Sequence, residues 1–445
     1  MKWGESVDLI WSLKNMHIVL CSRHYPPETG RGGLGTYTQN LARSLSEAGH
    51  RVLVVSSSAA ATVEERDGRV RVFRFEYRWR KHHFFPKFRN ALRYSRGVAR
   101  QLRRIMRDRP IDIIQFPDLL GEGAHFAFRR RANDPPFVVR SAMRIPDLEG
   151  INRRAWPANP LERIDHRLAA WVEGIPLRRA AAHLVPSAYS GLDLEQRMAA
   201  EVSPKIIPNG TDLDRFRPAD KAAARRAAEI PEEATVFLYA GPLEFRKGVQ
   251  LLPAAFRQVA SEMPDAMLVI AGTDHLTAPG SGSMRRWLEI RFETEGIDER
   301  VLFLGTVSHE RMPEIYAVAD VLVAPTYRES FGNSILEASA SGVPVITSDE
   351  GGQTEIVADG RTGFLIPRGD AQALAGAMCD AVSNRSALLQ AGKEARREAL
   401  ARFDRKLMGR RTVSFYREVL GEKEEGAGTV ENGASKPEEE EAPTG

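Results

Sequence analysis

Along most of the chain, short apolar runs alternate with longer stretches in which apolar residues recur at helical spacing, and Gly or Pro separates them. The run His17–Cys21 passes through Pro26 and Pro27 into Gly30-Arg31-Gly32-Gly33-Leu34-Gly35, and a helix-period stretch then runs from Tyr37 to Ala48 and stops at Gly49. Strand, glycine loop and helix are predicted in that order. With Val52–Val55 as the next strand, the unit is a βαβ crossover whose first loop lies at the carboxyl edge of a parallel sheet, the edge at which such sheets bind ligands. Strands over Ile111–Phe116 and Phe137–Val139 and a helix over Leu161–Ala182 continue the alternation.

Pro208-Asn209-Gly210 punctuates the end of a strand over Lys205–Ile207, and after Phe216–Pro218 and a charged helix the pattern restarts. Strands are predicted over Val236–Ala240, Ala266–Gly272, Val301–Gly305, Val321–Ala324, Val343–Thr347 and Phe364–Ile366. Helices fall over Leu251–Met263, Met284–Thr294, Arg311–Ala317 and Asn333–Ser341. The fold class is therefore α/β, with two doubly wound Rossmann-like domains facing across a cleft, over residues 16–212 and 213–403. A crevice between domains is a common small-molecule site. A last helix, over 404–420, has no strand after it and is expected to pack back on the first domain. Residues 1–15 read as an N-terminal extension, because Met16 stands directly before the first strand and Val7–Leu13 is too short and interrupted for a signal peptide. Segment 421–445 is rich in Glu, Gly, Pro and Ala and too poor in large apolar residues to fold, so it reads as a disordered acidic tail.

A length of 445 residues exceeds what one core usually organises, which agrees with two domains. Cys21 and Cys379 lie far apart without a CxxC pairing, so neither a zinc site nor a disulfide framework is expected and a reducing, cytoplasmic compartment fits. No run approaches the length of a membrane span. The formal net charge of +4 hides a strong asymmetry: from Arg66 to Arg109 sixteen Lys or Arg face only Asp67, Glu76 and Asp108. Phe73, Phe75, Tyr77, Trp79, Phe84, Phe85, Phe88 and Tyr94 are interleaved with them. Cations mixed with aromatics suit an anionic membrane surface, on the inner face for a cytoplasmic protein. The plainer reading is a solvated basic helix over Arg89–Arg107, and nucleic acid is the weakest of the three.

The candidate chemistry lies mainly in Glu329-Ser330-Phe331-Gly332-Asn333-Ser334-Ile335-Leu336-Glu337. The chain leaves a strand, bends at Gly332 and enters a helix near Asn333 or Ser334, whose first backbone amides can hold phosphate. Glu329 precedes this anion site, and Glu337 lies about one turn inside the helix, roughly 5 Å along its axis. Carboxylates are double acceptors matched to vicinal diols, and a nucleoside-diphosphate sugar carries a diol on each side of its diphosphate. A helix cap at Glu329 and a surface ion pair at Glu337 are the bland alternative; either Glu alone is unremarkable, but the whole string is distinctive. Gly241-Pro242-Leu243-Glu244-Phe245-Arg246-Lys247-Gly248 follows the first strand of the second domain and sets adjacent Arg246 and Lys247 beside the cleft. They can neutralise a departing diphosphate, a task metal ions perform elsewhere. No carboxylate cluster has metal-site spacing, so neither a metal nor another cofactor is expected. Gly32 and Gly33 allow close backbone approach to phosphates, a weak signal alone.

The nine-residue string resembles the E-x7-E motif of retaining glycosyltransferases of the GT-B fold, family 4, and the likeness extends from Met16 to Tyr416. Asp320–Pro325, Ala338–Pro344, Gly351-Gly352 with Glu355, Gly363–Leu365 and the Arg246-Lys247-Gly248 loop share it. The resemblance implies that Glu329 approaches the donor sugar's hydroxyls and Glu337 the ribose. Gly32, Gly33, Gly241, Phe331, Gly332, Asn333 and Ser334 are then placed around the donor. It further implies transfer, with retention, from a nucleoside-diphosphate sugar to the hydroxyl of a glycan, lipid-linked or small-molecule acceptor, in glycan, glycolipid or polysaccharide synthesis. Ile145–Trp156 and the basic stretch are expected to line the acceptor side. Three departures stand out. Many relatives have an Arg where this chain has Pro242. Many also carry a His at the end of the strand Ile111–Phe116, where this chain reads Gln115-Phe116-Pro117-Asp118, and another after Phe137–Val139, where it reads Arg140-Ser141-Ala142-Met143-Arg144. Asp118 is the candidate substitute, contacting sugar or acceptor, with a loop cap as the rival role. A same-fold epimerase or phosphorylase, or a catalytically silent sugar-nucleotide-binding subunit, are the competing functions.

Overall fold

The computed structural model describes residues 15–28, 32–142, 160–198, 201–280 and 282–422. The expectations for residues 1–14, for the acidic segment beyond 422 and for the acceptor segment 145–156 lie outside these residues.

Two parallel-sheet α/β layers form the molecule. The first sheet comprises β1 (His17–Cys21), β2 (Arg51–Ser58), β3 (Val63–Asp67), β4 (Val70–Glu76), β5 (Ile113–Pro117), β6 (Phe137–Arg140), β7 (Ala182–Val185) and β8 (Lys205–Ile206). Their order is β3-β4-β2-β1-β5-β6-β7-β8. Every pairing is parallel except the β3–β4 hairpin. The second sheet takes β9 (Thr235–Ala240), β10 (Ala266–Ala271), β11 (Val301–Gly305), β12 (Val321–Ala324), β13 (Val345–Ser348) and β14 (Gly363–Ile366), in the order β11-β10-β9-β12-β13-β14. Strand order reverses between β1 and β5 and between β9 and β12, and the crevice outside the carboxyl ends at such switch points is where doubly wound sheets bind ligands.

The central strands are apolar on both sides because helices cover both faces. Along β1, Ile18 and Leu20 join the core beneath helix Gly33–Glu47, and Val19 and Cys21 join the core beneath helix Pro86–Asp108. Helix Arg405–Leu420 lies on the first domain, contributing Met408, Val413, Phe415 and Tyr416 to the same core as Ile18.

Two segments differ from the sequence reading. The predicted helix over Leu161–Ala182 is a helix over Pro160–Leu177, and Ala182 begins β7. Ala180-Ala181-Ala182 favour helix locally, but Ala182 pairs with Val138 of β6, and sheet formation overrides propensity. The charged stretch from Arg66 also contains strand. Val70 and Val72 of β4 point into the core, and Arg74 is fully buried. Arg74 donates to Glu65 at 2.6 Å and to the carbonyls of Tyr25 and Pro26 at 3.1 and 2.8 Å, and Arg71 pairs with Glu64. Part of the basic excess is therefore neutralised by Glu64 and Glu65 of the partner strand β3, which precede the tract.

Candidate active site

The loop after β12 delivers Glu329. Its side chain is buried, and Lys247 donates to its Oε2 atom. Burial pushes the carboxyl up, but the charges of Lys247 and Arg246, hydrogen bonding by Lys247 and the Phe331 amide outweigh it and hold Glu329 below the ordinary carboxylate range. Glu329 is thus an ionised carboxylate paired to an ammonium. Arg246 and Lys247 lie on the 3-10 turn Phe245–Lys247, which Gly248 ends at φ 73°. A Cβ at residue 248 would stand 1.7 Å from the carbonyl oxygen of Pro325, so only Gly lets this turn lie against the β12 loop. The Tyr327 amide donates to the Arg246 carbonyl at 2.8 Å, stitching the two loops together. Arg246 itself bonds the Arg328 carbonyl at 3.2 Å and Glu244 at 3.0 Å, and its buried Nε has no partner among the described residues.

Gly332, at φ 104°, turns the chain into helix Asn333–Ala340, which has neither a side-chain cap nor an acidic residue in its first turn. Its amino end is open to an anion. The glycine loop of the first domain meets it there: the Asn333 side-chain amide donates to the Gly33 carbonyl at 3.0 Å, and Asn209 donates to Asn333 Oδ1 at 2.7 Å. A Cβ on Gly33 would lie 3.3 Å from the Asn333 amide nitrogen. Ser187 and Ser190 close a second seam on the Ser330 carbonyl at 2.7 and 3.2 Å, and Arg328 pairs with Asp193 at 2.8 Å. The structure therefore gathers Glu329, Lys247, Arg246, Gly332, Asn333 and Gly33 at the junction of the two carboxyl edges.

Two family models cover this arrangement end to end, the glycosyl transferase 4-like domain at residues 32–210 and the glycosyl transferases group 1 model at residues 220–398. The chain belongs to the group 1, family 4 glycosyltransferases. The glycogen synthase of Mycobacterium tuberculosis is 28% identical to this glycosyltransferase over 419 residues, 90% of this chain and 94% of that one. The D-inositol 3-phosphate glycosyltransferase of Geodermatophilus obscurus is 39% identical over 200 residues, 44% of this chain and 43% of its own. Among solved structures, sucrose-phosphate synthase from Thermosynechococcus elongatus has a TM-score of 0.77 at 23% identity, covering 92% of this chain and all of that one. HepE of Anabaena, solved with UDP and glucose, has a TM-score of 0.66 at 20% identity, covering 90% of this chain and 99% of its own. These likenesses show the GT-B fold.

In this glycosyltransferase the remaining expected site residues are placed as follows. Gly241 is pinned in the sheet, its amide donating to Ala271 at 2.9 Å, and the Pro242 carbonyl accepts Tyr239 at 2.7 Å. Phe331 turns its ring into the core against Phe403, 5.8 Å between centroids, so only its backbone faces the site. Ser334 is half-buried in the first helical turn. The Glu337 carboxylate is engaged from the side, by His309 Nε2 at 3.0 Å and by the Tyr316 hydroxyl at 2.9 Å. Asp118 is buried and joins β5 to the turn after β6: its carboxylate accepts from Ser141 at 2.6 Å and from the Ala142 amide at 3.2 Å.

Sequence reasoning missed His309, Tyr316, Asn209 and Arg140. Arg140 is buried on the Tyr37 ring, 3.7 Å from its centroid, and donates to Asn209, and burial lowers its pKa. Its Nη1 atom has no hydrogen-bond partner among the described residues. No motif marks these four; only the carboxyl-edge positions of Arg140 and Asn209 carried a signal. A separate hollow of about 660 Å³, lined by His17, Arg51, Arg69 and Arg109 among others, lies at the amino edge of the first sheet, away from these groups.

Proposed function

We propose that this glycosyltransferase moves a sugar from a nucleoside diphosphate to an acceptor hydroxyl with retention of anomeric configuration and without a metal ion. The observation that carries the proposal is the ionised Glu329–Lys247 pair beside the uncapped amino end of helix Asn333–Ala340. A diphosphate seated there meets backbone amides, Lys247 and Arg246, which stabilise the charge left as the glycosidic bond breaks. Glu329, released in part from Lys247 by that phosphate, orients the sugar hydroxyls. Glu337, braced by His309 and Tyr316, orients the ribose. The acceptor oxygen attacks from the face the diphosphate leaves and gives its proton to the leaving phosphate, so the protein's work is positioning and charge stabilisation. Asp118 acts by positioning the turn after β6, where many relatives place a histidine. The binding of UDP and glucose by HepE supports a sugar nucleotide as donor.

The test is thermal-shift screening with uridine, guanosine and adenosine diphosphates and their sugars, followed by NMR of the product anomer. A ligand at a hundredfold over its Kd stabilises by about 2.7 kcal/mol. Binding of none of the nucleotides, or an inverted product, overturns the reading.

Attachment to an anionic membrane surface is a second reading, favoured by exposed apolar side chains on the helices that follow the basic aromatic stretch. Phe84, Leu161 and Trp171 are exposed on or beside the packed helices Pro86–Asp108 and Pro160–Leu177, and Arg78, Arg80 and Lys81 immediately precede Phe84 in the chain. The protein is expected to float with phosphatidylglycerol vesicles, and unchanged flotation after charge removal at those three cations counts against it.

A further inference from the structure

Glu337, on helix Asn333–Ala340, is a buried carboxylate with no Lys or Arg paired to it among the described residues. One donor meets each of its oxygens instead, the Tyr316 hydroxyl on Oε2 at 2.9 Å and His309 Nε2 on Oε1 at 3.0 Å. Burial and the Glu337 charge hold the Tyr316 phenol well above its usual range, so it stays a donor. A neutral imidazole donates from Nε2 only when its proton is there, and the partner of the other ring nitrogen decides that.

That nitrogen faces Arg215. Its Nη1 lies 3.4 Å from His309 Nδ1, and its Nη2 donates to the His309 carbonyl, so one guanidinium clasps both the ring and the backbone of His309. A guanidinium has donors and no acceptor, so Nδ1 accepts and the ring proton sits on Nε2, aimed at Glu337. Phe216, fully buried, packs on both braces, its ring centroid 5.4 Å from that of His309 and 5.9 Å from that of Tyr316. The Arg215 amide donates to Asp212 Oδ1 at 3.2 Å, Arg405 holds Asp212 Oδ2 at 3.3 Å, and the Arg215 guanidinium lies 5.2 Å from the Phe216 ring centroid. The stretch by which the chain enters the second domain thus builds the cage around Glu337.

A carboxylate oxygen has two lone pairs, so with one protein donor on each oxygen Glu337 keeps one lone pair on each, enough for the two hydroxyls of a vicinal diol. We propose that Arg215 and His309 are positioning residues that make donor binding depend on the ribose diol, so that this glycosyltransferase selects nucleotides carrying both hydroxyls. Neither residue touches the donor. Arg215 fixes the tautomer of His309, and His309 fixes the rotation of the Glu337 carboxylate. Without the second brace that carboxylate pivots on Tyr316 alone, and its free lone pairs no longer face the diol together. The inference rests on the ribose role proposed for Glu337.

Isothermal titration of the full chain compares the uridine, guanosine or adenosine diphosphate that stabilises it most with the 2′,3′-dideoxy analogue of that nucleotide. The wild type is expected to prefer the ribonucleotide by at least about tenfold, the worth of one hydrogen bond to a charged group. Arg215→Met and His309→Leu should each cut that preference to about threefold or less while affinity for the dideoxy analogue stays within about twofold, whereas a role in stability alone weakens both nucleotides alike. His309→Gln, whose amide can donate to Glu337 while its carbonyl accepts from Arg215, should restore the preference. A folded Arg215→Met variant that keeps the wild-type preference, or that loses both nucleotides equally, overturns the inference. His309→Leu decides by the same criteria should Arg215→Met fail to fold, and a His309→Gln variant as indifferent as His309→Leu overturns the tautomer assignment. Glu337→Gln separates the two readings. A preference kept in that variant, or absent from the wild type, removes the ribose role of Glu337 and the inference with it; a preference lost there but kept in Arg215→Met removes the inference alone.

Discussion

Glu329 and Lys247 neutralise one another inside the cleft, which lets a buried carboxylate stay ionised. Removing one partner does more than lose a contact, because it leaves the other as an uncompensated charge. Lys247→Ala and Glu329→Gln are each expected to lower kcat by about two orders of magnitude, comparable to losing an oxyanion donor. Steady-state rates on the identified donor check this, and wild-type-like turnover by either variant refutes the assigned roles. Glu122 provides a pH signature. Burial raises its folded pKa to about 8, above the ordinary 4.5, so between those values the native state keeps a proton the unfolded chain has lost, and stability falls as pH rises through that window. Glu122→Gln should flatten this fall, which Tm measured from pH 5 to 8 will show; a wild-type slope retained in the variant argues against a protonated Glu122.

At the scale of elements, the proposed donor site depends on two tight backbone features. One is the 3-10 turn that Gly248 ends, lying so close to Pro325 that no side chain fits. Gly248→Ala combines a positive φ with a clash against a carbonyl, and is expected to cost at least about 2 kcal/mol and to lower activity by displacing Lys247. Chemical denaturation with a parallel rate assay measures both. The other feature is the eight-residue helix Asn333–Ala340, whose open start was legible from Gly332-Asn333 in the sequence. Short strands bounded by Gly and Pro were also legible, because periodicity and punctuation agree there. The extent of helix Pro160–Leu177 and the β3–β4 hairpin were not: an alanine run mimics helix, and alternating Arg and Glu look solvated until Arg74 is seen buried against Glu65.

At the scale of the molecule, the chain crosses between domains twice. It passes forward near Thr211 and returns beyond Phe403, where Thr211 exchanges backbone hydrogen bonds with Phe403 and Arg405 at 2.9 and 3.0 Å. The returning helix then places Tyr416, fully buried, against Gln115 of β5 at 2.8 Å. Tyr416→Ala is expected to destabilise the protein by about 3 to 5 kcal/mol, the cost of a large core truncation, although the residue lies far along the chain from the domain it supports. A loss below about 1 kcal/mol in urea unfolding would show that the last helix is dispensable. By itself the sequence determined the two doubly wound units, the E-x7-E string and the Arg246-Lys247-Gly248 turn, because hydrophobic period, glycine placement and local motif are properties of contiguous residues. Only the tertiary structure decided that Lys247 pairs with Glu329, that His309 and Tyr316 hold Glu337, that Asp118 braces Ser141 and that Arg215 clasps His309. Each of those joins residues from separate elements, and no local pattern encodes which side chains a crossover brings to the same edge.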